Sequence, residues 1–309
     1  MAQTAAPEPA RSTVCSDVDL PTLFIALGVY AAFGLLTLYH AVIPWWLLVP
    51  LGGYVVAMHG SIQHEAVHGY PFRIRFLNSL LVFPSLWLWL PYLTYRELHL
   101  THHRDERLTD PIDDPESNYL TPEQWAALGS LHRRIRVAMT TVAGRLLIAP
   151  AYAVMATAKR LLQAILAGDL HHLGQWAVHV PAVALVLWWV MGVSDMPFWK
   201  YVVCFAYPGL SLTLLRSFCE HRAARMTSQR TAIVEAGPIM SLLYLNNNLH
   251  MVHHMEPGAP WHARPARYRQ IRDRVLAANG GYLLHGYGEI VRRWLFTPKE
   301  PAVHPLGRV

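Results

Sequence analysis

The sequence predicts an all-α integral membrane protein, with four transmembrane helices that carry a helical cap. The chain of 309 residues is 53% hydrophobic and only 15% charged, whereas soluble domains average about 25% charged residues. Several apolar runs approach the length that a bilayer requires. Eight of the 18 histidines fall in three short clusters within the more polar stretches. Together these features indicate a membrane protein with a nitrogen-rich site at one face.

Four apolar runs are interpreted as membrane spans. They cover residues 20–39, 45–58, 176–191 and 199–215. The first pair leads into a histidine cluster, and the second pair is joined by a short turn at residues 192–198. Each run is bounded by turn-forming or charged residues, so a transmembrane helix is expected at each.

A fifth apolar run, residues 76–95, is interrupted by Pro84 and Pro91. If it crossed the membrane, the cluster that begins at His99 would lie about 30 Å from the cluster that begins at His64. Two parts of one metal site cannot be so far apart. We therefore predict a broken segment that is re-entrant or interfacial, because irregular backbone is tolerated where protein buries it.

The rest of the chain is more polar. Within it, residues 137–166 mix apolar and basic positions, which predicts amphipathic helices on the membrane surface. Residues 1–19 are expected to form a flexible N-terminal tail, residues 20–295 a single membrane domain with its cap, and residues 296–309 a C-terminal tail.

The distribution of basic residues predicts the orientation. Of the 26 lysines and arginines, the four-span arrangement leaves only Lys200 on the side away from the histidine clusters. Cytoplasmic loops are enriched in Lys and Arg, so the clusters are expected in the cytoplasm, beneath a bacterial inner membrane. The same rule explains the net charge of +6 without a nucleic-acid partner.

The clustered histidines have the spacing of metal ligands. On a helix, positions i and i+3 or i+4 share a face, and each cluster repeats that spacing. Neutral imidazole is the commonest nitrogen ligand for iron, copper or zinc. Eight such ligands exceed the needs of one ion, so the sequence predicts a site for two metals. The eight are His64, His68, His99, His102, His103, His250, His253 and His254.

The first cluster permits a different interpretation. His64 and His68 with Glu65 between them also match the H-E-x-x-H pattern of zinc metalloproteases, in which the glutamate is the general base. This alternative leaves the other two clusters unexplained. The remaining histidines are expected to be structural: His40, His59, His132, His171, His172, His179, His262, His285 and His304.

The three clusters, in this order, resemble the histidine boxes of the membrane fatty-acid desaturase superfamily, H-x(3)-H, H-x(2)-H-H and H-x(2)-H-H. Residues beside the boxes agree: Gly69 follows the first, Asp105 the second, and Pro257 and Trp261 the third. The resemblance extends from the first span to about residue 270. It implies an all-helical membrane fold, a centre of two iron ions and O2 as a co-substrate.

The resemblance also implies a ninth ligand. Family members commonly add a histidine between the last span and the third box, and His221 occupies that place. The alternative is that His221 pairs only with Glu220 or with lipid phosphate. Asn247 and Asn248 are either donors that orient imidazoles or helix-capping residues, and the sequence does not choose between these roles.

The implied activity is that of a membrane-bound, O2-dependent fatty-acyl desaturase, which introduces a C=C bond into an acyl chain of a membrane lipid or other carrier. A di-iron hydroxylase or ketolase that acts on an alkane, a lipid or a carotenoid is the alternative. Such reactions need two electrons. The chain has no G-x-G-x-x-G, no His-Pro-Gly-Gly haem motif and no cysteine pattern for a metal cluster among Cys15, Cys204 and Cys219.

A separate electron donor is therefore expected, either ferredoxin-like or cytochrome b5-like with its reductase. The basic C-terminal stretch would suit an acidic donor by charge complementarity and would equally suit anionic lipid headgroups. Its arginines are Arg264, Arg267, Arg269, Arg272 and Arg274.

Overall fold

The computed structural model describes residues 18–103 and 107–307. Most of the predicted N-terminal tail, and Asp105, lie outside the described residues. Within them, four helical segments are long and apolar enough to cross a membrane, which confirms the predicted all-α membrane fold. These segments are Leu20–Leu38, Trp45–Val67, Leu170–Val193 and Phe198–Glu220.

The elements of the described chain follow in order. The helices are α1 (Leu20–Leu38), α2 (Trp45–Val67), α3 (Arg75–Leu81), α4 (Tyr92–His102), α5 (Pro122–Ala126), α6 (Ser130–Ala138), α7 (Val142–Leu147), α8 (Ala149–Ala167), α9 (Leu170–Leu187), α10 (Phe198–Tyr201), α11 (Tyr207–Glu220), α12 (Pro238–Leu243), α13 (His250–Met255), α14 (Arg264–Ala278) and α15 (Tyr287–Trp294). Turns of π-helix at Trp188–Val193 and Val202–Ala206 extend α9 and join α10 to α11. Two short strands, β1 (Ile233–Val234) and β2 (Leu283–Leu284), pair in parallel.

Two of the spanning helices run further toward the cap than the apolar pattern predicts. Helix α2 continues from residue 58 through Val67, and α11 continues from residue 215 through Glu220. The polar residues in these extensions are buried by other parts of the protein. They therefore need no lipid-compatible side chains, and hydropathy alone ends both helices too early.

Helices α2 and α11 pack closely through glycines. A Cβ atom on Gly209 would lie 2.5 Å from Cβ of Val56, and one on Gly53 would lie 2.8 Å from Cβ of Pro208. Small residues let the backbones of membrane helices approach one another. The contact lies midway along the spans and holds the two helices side by side, and both helices then continue to the cap, where His64 and His221 lie.

The predicted break between the second and third spans is present. Helix α3 ends at Leu81, α4 begins at Tyr92, and the backbone between them is irregular. Helices of the bundle satisfy its carbonyl groups, because the Tyr201 hydroxyl donates to Leu86 O and His179 Nε2 lies 3.1 Å from Leu88 O. Burial of irregular backbone is possible because these side chains supply the missing hydrogen bonds.

The stretch predicted as amphipathic surface helices, residues 137–166, is helical and is divided among α6, α7 and α8. Helix α7 packs along α11, where Arg145 Nε donates to Leu214 O at 3.0 Å and Ser211 Oγ donates to Leu146 O at 2.7 Å. Arg145 is buried. Its hydrogen bonds offset the cost of removing its charge from water, so Arg145 belongs to the packing of α7 on α11.

Residues 296–307, predicted as part of a C-terminal tail, pack on the cap. Leu120 N donates to Ala302 O at 2.9 Å, and Lys299 Nζ donates to His221 O at 2.9 Å. The stretch therefore returns to the end of α11, next to the clustered histidines.

Candidate metal centre

The structure brings all nine predicted ligands together, and it divides them into two groups. Within each group the ligand nitrogens lie within 4.8 Å of one another. The first group is His64, His68, His99, His103 and His253, and the second is His102, His221, His250 and His254.

Helical spacing explains this division. Successive residues are about 100° apart around a helix with 3.6 residues per turn. On α4 and its C-cap, His99 and His103 therefore face the first group, while His102 faces the second. On α13 the pattern reverses, since His250 and His254 face the second group and His253 faces the first. Each of these boxes thus contributes to both groups.

The distances between imidazole nitrogens fit metal coordination. In the first group, His103 Nε2 lies 3.0 Å from both His99 Nε2 and His253 Nε2. In the second, His221 Nε2 lies 3.0 Å from both His102 Nε2 and His250 Nε2. Two nitrogens that each lie about 2.1 Å from a metal and subtend a right angle are separated by about 3.0 Å.

Two imidazoles of each group are in surroundings that favour the neutral ring, which is the form that binds a metal. Burial, reinforced by neighbouring imidazoles, holds the pKa of His68 and of His221 well below the usual range. The pKa values of His250 and His253 are lowered in the same way, first by burial. These four rings thus have lone pairs available at neutral pH.

Two carboxylates that sequence reasoning missed orient the ligands of α4. His99 Nδ1 donates to Glu116 Oε1 at 2.9 Å, and His102 Nδ1 donates to Asp114 Oδ1 at 2.9 Å. Such partners fix the ring tautomer, so that Nε2 is the free nitrogen. Burial alone would lower the pKa of His102, but Glu116 and Asp114 raise it to about 9. The only sequence signal for them is the acidic, proline-containing stretch at residues 110–116, whose composition is typical of a loop.

Asn247 contacts one imidazole of each group. Its Nδ2 lies 3.3 Å from His64 Nε2, and its Oδ1 lies 3.2 Å from His250 Nδ1. Asn248 has a different role, because its Nδ2 donates to Val234 O at 2.8 Å and so forms a hydrogen bond with the backbone of β1. Neither side chain caps α13. Asn247 is therefore the residue that orients imidazoles.

Glu65, the candidate general base of the protease alternative, forms an ion pair with Arg264. Its Oε1 lies 2.8 Å from Arg264 Nη2, and both side chains are fully buried. His64 and His68 also share their group with three further imidazoles. A zinc protease site needs an open coordination position on the metal and a general base that reaches the metal-bound water. The five clustered imidazoles do not favour the open position, and the ion pair of Glu65 does not favour its role as the base.

The histidines predicted to be structural stand apart from both groups in the part of the chain that the structure describes. His59 Nε2 lies 3.1 Å from the Tyr30 hydroxyl, and His262 Nε2 lies 2.8 Å from Asp19 Oδ1 at the start of α1. Asp19 also accepts a bond from Thr22 N as the cap of α1.

A four-span helical bundle with two buried groups of imidazoles defines a membrane protein with side chains that could hold metal ions. Residues 22–286 match the fatty acid desaturase family. The chain belongs to that family, and it is accordingly an oxidoreductase whose histidine groups suit the metal that the family uses. A comparison with curated proteins found no match.

Proposed function

We propose that this protein is an O2-dependent fatty-acyl desaturase and that its nine clustered histidines hold two iron ions. The observation that carries the proposal is the division of the imidazoles into groups of five and four, with facing nitrogens about 3.0 Å apart, which is the separation expected of neighbouring ligands. The donor set consists of nitrogens alone, which suits iron, copper or zinc. Family membership favours iron.

Two irons held here would supply the oxidising power to remove two hydrogen atoms from adjacent carbons of an acyl chain. The overall change is CH2–CH2 plus O2, two electrons and two protons, giving CH=CH and two molecules of water. The protein positions the ligands through Glu116, Asp114 and Asn247. It also excludes bulk water, because His250 and His253 are almost completely buried. Exclusion of water protects a reactive centre from side reactions.

We further propose that a separate, acidic one-electron donor docks near α14, either a ferredoxin or a cytochrome b5-like protein with its reductase. Arg269 and Arg274 are exposed on that helix, which supports α14 as the docking surface for an acidic donor. Arg264, grouped with them on sequence grounds, is buried with Glu65 and cannot take part. Arg272 is half-buried and already lies 2.8 Å from Glu235.

The proposed orientation places the histidine groups on the cytoplasmic face of a bacterial inner membrane. The contact of Lys200 supports this orientation, because its Nζ donates to His40 O at 2.8 Å and so lies at the turn between α1 and α2, at the opposite end of α2 from the first box. The membrane potential and the insertion machinery favour few basic residues on that far side.

The test is expression in a host with a simple lipid profile, followed by mass spectrometry of its fatty acids. Acyl chains that lack two hydrogens, produced by the wild type but not by His253→Ala, are expected. Products that gain oxygen as an alcohol or a ketone would instead establish the hydroxylase or ketolase alternative. Iron-loaded protein that, with a reductant and O2, changes no alkane, lipid, acyl or carotenoid substrate would overturn the proposal.

A further inference from the structure

A polar chamber lies beside the second histidine group. Its volume available to water molecules is about 70 Å³. It is enclosed by the loop between α4 and α5, by α7, by the end of α11 and by the C-terminal stretch after α15. The charged or ligating residues that line it are Asp114, Glu116, Arg145, Glu220, His221, Lys299 and Glu300.

The size and lining of the chamber indicate its contents. A buried water needs about 10–15 Å³ measured in this way, so the chamber has room for roughly five waters. Pockets for organic ligands are typically about 300–1,000 Å³. An acyl chain would also desolvate several charged groups, which is costly. The chamber is therefore suited to water and not to the substrate.

The chamber reaches from the protein surface to the ligands. Glu300 lines the chamber, bonds to none of the clustered histidines among its described contacts, and keeps 22% of its side chain exposed. The lining also includes His221 of the second group and Glu116, which is bonded to His99 of the first. The Glu116 side chain also keeps 24% exposure. A chain of water between the two carboxylates would connect bulk solvent with the buried centre.

We propose that this chamber delivers protons to the histidine centre and that Glu300 is the group through which they enter. The inference rests on the proposed function, because each desaturation consumes two protons together with two electrons and one O2. The centre is buried, so these protons need a polar route. Glu300 takes a proton from bulk water and releases one to the chamber water, returning to its starting state. Two such cycles supply the two protons of one turnover. Together with two electrons and the two hydrogens removed from the substrate, these protons convert O2 into two molecules of water.

The surroundings of Glu300 support this role. Ala223 N donates to its Oε2 at 3.3 Å, and Lys299 Nζ lies 3.6 Å from its Oε1. The contact with Ala223 N favours the ionised carboxylate, but burial outweighs it and raises the pKa of Glu300 to about 7. An acid whose pKa is near the working pH transfers protons most effectively. The titratable and charged groups that face Glu300 across the chamber are Asp114, Glu116, Tyr119, Arg145, Glu220, His221 and Lys299.

One readout of the test needs no turnover. Infrared titration of the metal-free full chain should show a protonated carboxyl band with a midpoint near pH 7. The band should persist in Asp273→Asn, a control at a fully exposed carboxylate, and should be lost in Glu300→Gln. A wild-type protein without this band, or a Glu300→Gln variant that retains it, would overturn the assignment.

The second readout uses iron-loaded protein with a reductant. Glu300→Gln should keep its iron but form product at least roughly tenfold more slowly. Its rate should no longer depend on pH near 7, and it should release hydrogen peroxide. Glu300→Asp should recover part of the rate. If the wild type forms product and Glu300→Gln matches its rate and pH profile, the proton route is wrong and the proposed function stands. If the wild type oxidises nothing, both proposals fail.

Discussion

Glu65 and Arg264 form a completely buried ion pair, in which Glu65 Oε1 lies 2.8 Å from Arg264 Nη2. Arg264 Nη1 also donates to Leu245 O at 3.1 Å. The ion pair links α2, which carries the first histidine box, to the start of α14. It joins residues nearly 200 positions apart in sequence, directly beside His64, so the position of that ligand depends on it.

Loss of this pair should destabilise the protein strongly. Arg264→Ala would leave a buried carboxylate without its partner, at an expected cost of about 3–5 kcal/mol in the free energy of unfolding. Arg267→Ala is the matched control, because its pair with Glu256 is partly exposed and is worth about 0–1 kcal/mol. Denaturant unfolding of both variants in detergent measures the difference. Equal stabilities would show that the buried pair does not fasten the two helices.

His221 should behave as a metal ligand although it lies outside the three boxes. Its Nε2 is 3.0 Å from the Nε2 atoms of His102 and His250, so His221→Ala should lower metal occupancy and abolish turnover, as His253→Ala should. His262→Ala removes a histidine that bonds only to Asp19 among its described partners, and it should keep the metal. Metal content of the purified, folded variants is the measurement. A His221→Ala variant with full occupancy would exclude His221 from the ligand set.

The carboxylate of Glu116 should strengthen metal binding without touching the metal. Glu116→Gln keeps the shape of the side chain but removes the charge that faces His99 and His102. Loss of such an orienting partner typically costs about 10–100-fold in metal affinity. Asp113→Asn, on the same loop but paired with Arg107 at the surface, should change affinity little. Competition with a chelator measures both, and unchanged affinity in Glu116→Gln would contradict the orienting role.

Glu300 should make the stability of the metal-free protein fall as pH rises. Its pKa is about 7 in the folded protein, against an ordinary value of 4.5. The folded state therefore binds more protons than the unfolded state between these values, and the free energy of unfolding declines as pH increases through that window. The full effect is on the order of 3 kcal/mol. Unfolding at pH 5 and pH 8 should show a smaller decline in Glu300→Gln than in the wild type; parallel declines would refute the raised pKa.

The sequence predicted which histidines come together, because helix periodicity determines which of them share a face. It did not predict how His102 and His253 are divided between the two groups, since that depends on how α4 and α13 are packed. Asp114 and Glu116 were missed because they reach the ligands from a loop, where no periodicity marks them. The length of α2 was underestimated because hydropathy reports contact with lipid, whereas its last turns are buried by protein.

The central claim is that the nine imidazoles hold two irons. The most direct measurement is the metal content of the purified chain after anaerobic iron loading, combined with Mössbauer spectroscopy of the bound iron. Two irons per chain in nitrogen-rich coordination, reduced in His221→Ala but not in His262→Ala, are the predicted result. One zinc and no iron per chain would contradict the claim and would favour the metalloprotease alternative.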